Sequence, residues 1–305
     1  VSAQPSLTAS SGNEPGASGE SPACGGDVAF TFVQDLAAEL SRGKVELPGF
    51  PHIVMRVQRV LADEKADATR IIRVVGSEPV LATQLVRMAN SAALNPSGVL
   101  VSDLRAAVGR VGLDTVRSAT MAFAIQQLRH APALRGLEKQ LGVLWRRSVQ
   151  VASLCHTVAR RFTQVSPDTA MLAGLLQGIG RLYILSRAGK YPELFADAAA
   201  YQNIENDWHL SIAAALLENW AIAEAIVQAV HDSENLERDW RGAPTLTDVL
   251  IVGTLLAEFH DEPTALEAQV SCAKPLQRLQ LDKAACEVFL KESAKELVAL
   301  REALA

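Results

Sequence analysis

The chain has 305 residues and a formal net charge of −5, enough length for one large core or two modest ones. Its longest apolar stretches, such as residues 249–257, stop well short of the roughly 18 to 20 apolar residues that a bilayer span needs. No basic-then-apolar leader opens it, and its cysteines, Cys24, Cys155, Cys272 and Cys286, lack the paired spacing of a disulfide framework or a zinc site, so we expect a cytoplasmic globular protein without a membrane span or a cysteine-bound metal.

The charge is unevenly placed. Residues 1–41 hold five acids and no Lys or Arg, residues 42–161 hold 18 basic and 8 acidic side chains, and residues 162–305 hold 11 basic and 21 acidic ones. A basic first half and an acidic second half complement each other, within the chain or between copies, or else meet a charged partner.

Residues 1–27 are rich in Ser, Gly, Pro and Ala and nearly free of large apolar groups, so they are expected to form a disordered tail. Residues 30–40 carry apolar groups at helical spacing, and Leu47-Pro48-Gly49-Phe50-Pro51 then breaks the chain. Beyond that break the pattern has a period near 3.6. Ile53, Val54, Val57, Val60 and Leu61 share one helix face; Ile71, Ile72, Val74 and Val75 share the next; Val80, Leu81, Leu85, Val86 and Met88 share a third, with Ser77 and Pro79 at its start. Asn95-Pro96-Ser97-Gly98 reads as a turn, Ser102 as the cap of a helix towards Arg110, and Gly112 as the break before a longer helix over 113–128.

Residues 130–136 read as a connector, followed by helices over 141–162, over the stretch opened by Ser166 and Pro167, and over 191–201, 204–220, 222–231 and 246–260. No alternating run of β-branched residues interrupts them. The predicted fold is all-α, a two-lobed helical bundle with lobes at 28–135 and 136–262. A C-terminal extension at 263–305 follows, with helices over 266–279 and 284–304. The last of these either packs on its own domain or docks a second copy or a partner.

Several stretches, in order, resemble one family. Leu47-Pro48-Gly49-Phe50-Pro51, Ser77-Glu78-Pro79-Val80-Leu81, Arg87-Met88-Ala89-Asn90-Ser91-Ala92 and Ser102-Asp103-Leu104-Arg105-Ala106-Ala107 with Val111-Gly112-Leu113 are similar to the HDOD domain. So, further on, are Leu144-Trp145-Arg146-Arg147-Ser148, Ala173-Gly174-Leu175-Leu176 and Leu216-Leu217-Glu218-Asn219-Trp220. The HDOD domain is the output-type relative of the HD metal-dependent phosphohydrolases, and the ordered set is more specific than any one piece. The resemblance covers residues 45–260. It implies a bacterial signalling or regulatory module, alone or joined to receiver or cyclic-nucleotide signalling domains, whose second lobe is HD-like.

The resemblance also implies where the HD metal ligands would lie. The first falls on Arg147, the His-Asp pair on Gln177 and Gly178, later histidines on His209 and His231, and the last carboxylate near Thr254. A glutamine amide is a poor ligand and glycine has no side chain. A guanidinium at the first position opposes cation entry and favours an anion instead. We therefore expect no metal, no cofactor and no catalytic residue, with His209 and His231 making ordinary hydrogen bonds or lining a vestigial anion or nucleotide pocket. Asn90 and Ser91 are read as helix-end residues bonding local backbone.

The expected function is non-catalytic signal transduction through another signalling protein or through self-association. One alternative is a phosphohydrolase of nucleotides or cyclic dinucleotides with a site rebuilt from Asp207, Asp232 or Glu234 beside His209 and His231. Another is nucleic-acid binding through Arg105, Arg110, Arg117 and Arg129, a weaker reading because aromatic residues for base stacking are missing nearby.

Overall fold

In the computed structural model the apolar periodicity becomes helix after helix, and among the described residues there is no β-strand. The structure describes residues 24–42, 45, 47, 49–63, 67–91, 94, 95, 97–128, 130–188, 190–261 and 273–304.

Helix α1 (Cys24–Ser41) begins inside the stretch expected to be a tail, while residues 1–23 lie outside the described residues. The first lobe then consists of α2 (His52–Ala62), α3 (Ala68–Gly76), α4 (Pro79–Ala89) and α5 (Leu104–Leu128). Val54 and Val57, Ile71 and Val75, and Leu81, Leu85 and Met88 are the buried stripes of α2, α3 and α4, and α5 packs against all three. Gly112 interrupts α5 at φ +80° and ψ 166°, a conformation glycine reaches without steric cost.

Two caps differ from the sequence reading. Asp103, not Ser102, caps α5, its carboxylate accepting the Ala106 N–H at 2.8 Å. The Ser77 hydroxyl donates to the Val74 carbonyl and so closes α3; α4 starts from Glu78, which makes no side-chain cap, with Pro79 in its first turn.

The second lobe follows a short 3-10 turn at Pro132–Leu134. It holds α6 (Glu138–Phe162), α7 (Pro167–Leu176), α8 (Ile179–Ala188), α9 (Pro192–Ala196), α10 (Ala198–Asn219), α11 (Glu224–His231) and α12 (Leu246–Asp261). Helix α6 is its axis, packed against α7 and α12, while α10 packs against α8 and α11. The lobes join where α5 meets α7: the Thr115 hydroxyl donates to the Asp168 carboxylate at 3.0 Å, and that of Ser118 to the Asp168 carbonyl at 3.5 Å.

Helix α8 is absent from the sequence reading, which ended the preceding helix at a Gln177-Gly178 turn and placed the next helix at 191–201. Gln177 is αR and Gly178 gives its carbonyl to the Leu182 N–H, so the chain re-enters a helix at once. Helix α1 also departs from the expected lobe division. It packs on α9 and α10 of the second lobe and also meets α8: Phe32 makes an edge contact with Tyr191 just before α9, the Tyr183 hydroxyl on α8 donates to Glu39, and Arg187 on α8 pairs with Glu39 at 3.2 Å.

The C-terminal extension contains α13 (Lys274–Arg278) and α14 (Lys283–Leu304). The first part of the helix expected over 266–279 lies outside the described residues. Helix α14 packs on α6, with a lesser contact to α4. Beside it His156 is buried on α6. Burial holds its imidazole below the usual histidine range, nearby Arg160 adds to this, and Glu296 opposes it. The unfolded chain therefore takes up this proton first as pH falls. Stability contributed by neutral His156 is present above about pH 6.5 and declines below it, by at most ~1.4 kcal/mol per pH unit. Urea titrations above and below that pH should give a slope that His156→Gln flattens; an unchanged slope would assign it to other groups.

Candidate functional site

The positions implied for metal ligands fall into two sets, one on α6, α12 and the end of α7, the other on α10 and α11. In the first, Arg147 on α6 points to α12, where its Nη2 lies 2.7 Å from Glu258 Oε1. Gln177 ends α7, is buried, and gives its N–H to the Ala173 carbonyl at 3.0 Å. Gly178 follows it against α6: a β-carbon there would stand 3.2 Å from Ser148 Oγ. Thr254, one turn before Glu258 on α12, has a buried Oγ1 with no hydrogen-bond partner. Helices α6, α7 and α12 pack together, and a guanidinium, an amide and a bare backbone stand at three of the positions that the resemblance implies for ligands.

In the second set, His209 is almost fully buried on α10. Its Nδ1–H donates to the Glu205 carbonyl at 2.7 Å, since a carbonyl only accepts, and its Nε2 lies 3.0 Å from Glu234 Oε1. Arg181 on α8 reaches the same Glu234 oxygen at 3.0 Å and Glu205 at 3.8 Å. The His209 hydrogen bond, with help from Arg181, holds the Glu234 carboxyl below its ordinary range against the opposing effect of burial. A metal ligand must aim a free imidazole lone pair at the ion. Here one ring nitrogen is spent on the backbone and the other faces a carboxylate already paired with arginine.

His231, at the end of α11, is exposed, and its Nδ1 lies 3.0 Å from Asp232. Burial raises Asp232, but hydrogen bonds from Gln228 and His231 outweigh it and leave the carboxyl low. His209 with Glu234 and His231 with Asp232 are thus two-residue pairs, and Asp207 is exposed on α10. Among the described residues no three His, Cys, Asp or Glu side chains form a group that could hold a metal ion. The donor set does not fit the divalent metal of HD hydrolases.

The sequence reading missed Glu258 and Arg181. Glu258 was findable, because it lies four residues from Thr254 on the same helix face; Arg181 was hidden with α8.

The first lobe's motif residues do structural work. Asn90 closes a reciprocal pair with Val101, donating to its carbonyl at 2.7 Å and accepting its N–H at 2.9 Å. The Ser91 carbonyl accepts the Leu94 and Asn95 N–H groups, and its buried hydroxyl has no partner. Arg110 donates to the carbonyls of Val99 at 2.6 Å and Ala89 at 3.3 Å, and Arg117 to that of Leu61 at 3.2 Å. Two of the four arginines proposed as a nucleic-acid stripe are therefore committed to backbone, and Arg129 lies outside the described residues. The loop that Asn90 and Arg110 brace exposes Val99 and Leu100, at 64% and 76% of their full surface.

Together these features define an all-helical, two-lobed module with an HD-like second lobe. The chain belongs to the HDOD domain family, whose model matches residues 47–236.

Among solved structures, a candidate metal-dependent phosphohydrolase from Shewanella amazonensis SB2B is similar with a TM-score of 0.74 at 20% identity, covering 92% of this chain and 100% of that one. An HDOD domain protein with unknown function from Geobacter sulfurreducens has a TM-score of 0.60 at 20% identity, over 92% of this chain and 99% of that one. A candidate signal transduction protein from Marinobacter aquaeolei VT8 has 0.59 at 20%, over 90% and 66%. At such identities the likeness establishes the fold. No curated protein matches the sequence.

Proposed function

We propose that the chain is a non-catalytic regulatory module that transmits a signal by binding another protein or a second copy of itself. The observation that carries this reading is the ion pair of Arg147 with Glu258, together with the non-ligating Gln177 and Gly178 at two further positions that the family resemblance implies for metal ligands. A fixed positive charge and two non-ligating residues occupy the framework where hydrolysis would need a cation. The braced loop supports the protein-contact part: adjacent apolar side chains held out on a hydrogen-bonded backbone are positioned to dock rather than to pack internally. The name of the Marinobacter relative agrees with a signalling role.

The test is to incubate the purified protein with manganese, iron and zinc, remove free metal by gel filtration, and measure retained metal and hydrolysis of nucleotides and cyclic dinucleotides. Below about a tenth of an equivalent of metal, with no turnover above buffer, is the expected result. Near-stoichiometric metal, with turnover lost to chelator and regained on adding the metal back, would overturn the non-catalytic reading.

A further inference from the structure

Helix α14 lies outside the segment that matches the family, and it runs antiparallel to α6. Phe162 meets Phe289, Arg161 meets Glu292, Thr157 and Arg160 meet Glu296, and Leu154 lies near Leu297. The end nearest Phe162 is closed by those ion pairs and the aromatic contact. A cavity of about 250 Å³ opens between Leu154 on α6 and Leu290, Leu297 and Val298 on α14. At Gln150 and Arg301 it meets a second cavity, of about 460 Å³, lined by Val143, Trp145, Arg146 and Arg147.

The two halves differ in chemistry. The inner cavity is walled almost wholly by apolar groups, whereas the outer one is lined by three arginines, Arg146, Arg147 and Arg301. Among the described residues, Glu258 pairs with Arg147. Arg301 spends its Nε on the Leu297 carbonyl at 3.2 Å, one turn back on its own helix. An apolar slot opening onto clustered positive charge complements a molecule with an apolar body and an anionic end. The slot lies between two helices already in contact, and its volume suits a flexible chain rather than a further helix, whose diameter with side chains is about 10 Å.

We propose that this groove binds a single-chain amphiphilic anion, with its aliphatic chain between α6 and α14 and its carboxylate or phosphate head on Arg146, Arg147 and Arg301. The site does not depend on the lobe being inactive as a hydrolase; either kind of lobe would present it.

Calorimetric titration of the full chain, below micelle-forming concentrations, tests this with decanoate, decyl phosphate and decyltrimethylammonium. Both anions should bind and the cation should not, and affinity should rise roughly fourfold per methylene from hexanoate upward until the slot is filled. Arg146→Glu and Arg301→Glu should each weaken anion binding by about tenfold or more; stronger binding of decyl phosphate or of decanoate identifies the head group. Val298→Trp, at a half-exposed position that tolerates bulk, should abolish the chain-length dependence. Equal binding of the cation, anion binding indifferent to both arginine variants and to Val298→Trp, or no binding of either anion would overturn the proposal. Because no readout involves metal or turnover, its failure is separate from failure of the non-catalytic reading.

Discussion

Replacing Gly180 by alanine is expected to destabilise the folded chain by about 3 kcal/mol or more. Gly180 lies in the first turn of α8, where α8 crosses α10. A β-carbon there would stand 1.8 Å from the His209 carbonyl oxygen, 2.8 Å from its carbon and 3.1 Å from the Ala213 nitrogen. All three are backbone atoms, so no rotamer change relieves the clash. The helices must separate, and with them the Arg181–Glu234–His209 contacts that join α8, α10 and the turn after α11. Gly109→Ala is the control: that glycine is exposed on α5 with nothing within 4 Å of its added β-carbon, and alanine there should stabilise by up to about 1 kcal/mol. Urea denaturation followed by far-ultraviolet circular dichroism compares the two. A Gly180→Ala cost no larger than ~0.5 kcal/mol would mean that the crossing is looser than described.

The six residues Leu175 to Gly180 were legible in part. Their resemblance to a metal-binding turn placed Gln177 and Gly178 correctly at the end of a helix, because a local motif records local backbone. It did not reveal that the second glycine serves a helix crossing, since His209 lies 29 positions away. Arg147 repeats the lesson. Its identity argues against a cation from sequence alone, but its partner Glu258 lies on another helix 111 residues on, beyond any periodicity. The helical stripes of α2, α3 and α4 were readable because each buries one face of its own sequence. Helix α1 has the same kind of stripe, yet the stripe says only that a face is buried. It does not say against which lobe, and α1 chose α9 and α10. The cap of α5 was missed because Ser102 and Asp103 are both good cap residues, and only backbone geometry selects Asp103.

Asp248→Ala is expected to cost about 3 to 5 kcal/mol, comparable to or larger than the Gly180 effect. Asp248 is fully buried in the first turn of α12. Its carboxylate accepts the Thr245 N–H at 2.8 Å, the Thr245 hydroxyl at 2.9 Å and Arg278 Nε at 3.1 Å, and Arg238 stands 3.6 Å away. Arg278 in turn donates to the Arg238 carbonyl at 3.0 Å. Alanine removes the only carboxylate these two mostly buried guanidiniums are seen to share, and leaving a buried charge unpaired costs more than the pair itself contributes. Asp248→Asn keeps the shape and one acceptor but turns an NH₂ towards donors, so it should fall between wild type and alanine. The loss should also be directional: α13 is fastened to α12 by this cluster and to the turn after α11 by the Lys274 N–H donating to the Leu236 carbonyl at 3.0 Å, and α14 follows α13. In Asp248→Ala, protease cleavage between α12 and α14 should therefore speed up before the rest of the lobe opens. Since α14 is one wall of the amphiphile groove, decanoate binding should weaken in the same variant. Cleavage and ligand affinity both unchanged in a destabilised Asp248→Ala protein would mean that α14 is held by its contacts with α6 alone, through the pairs at Arg160 and Arg161.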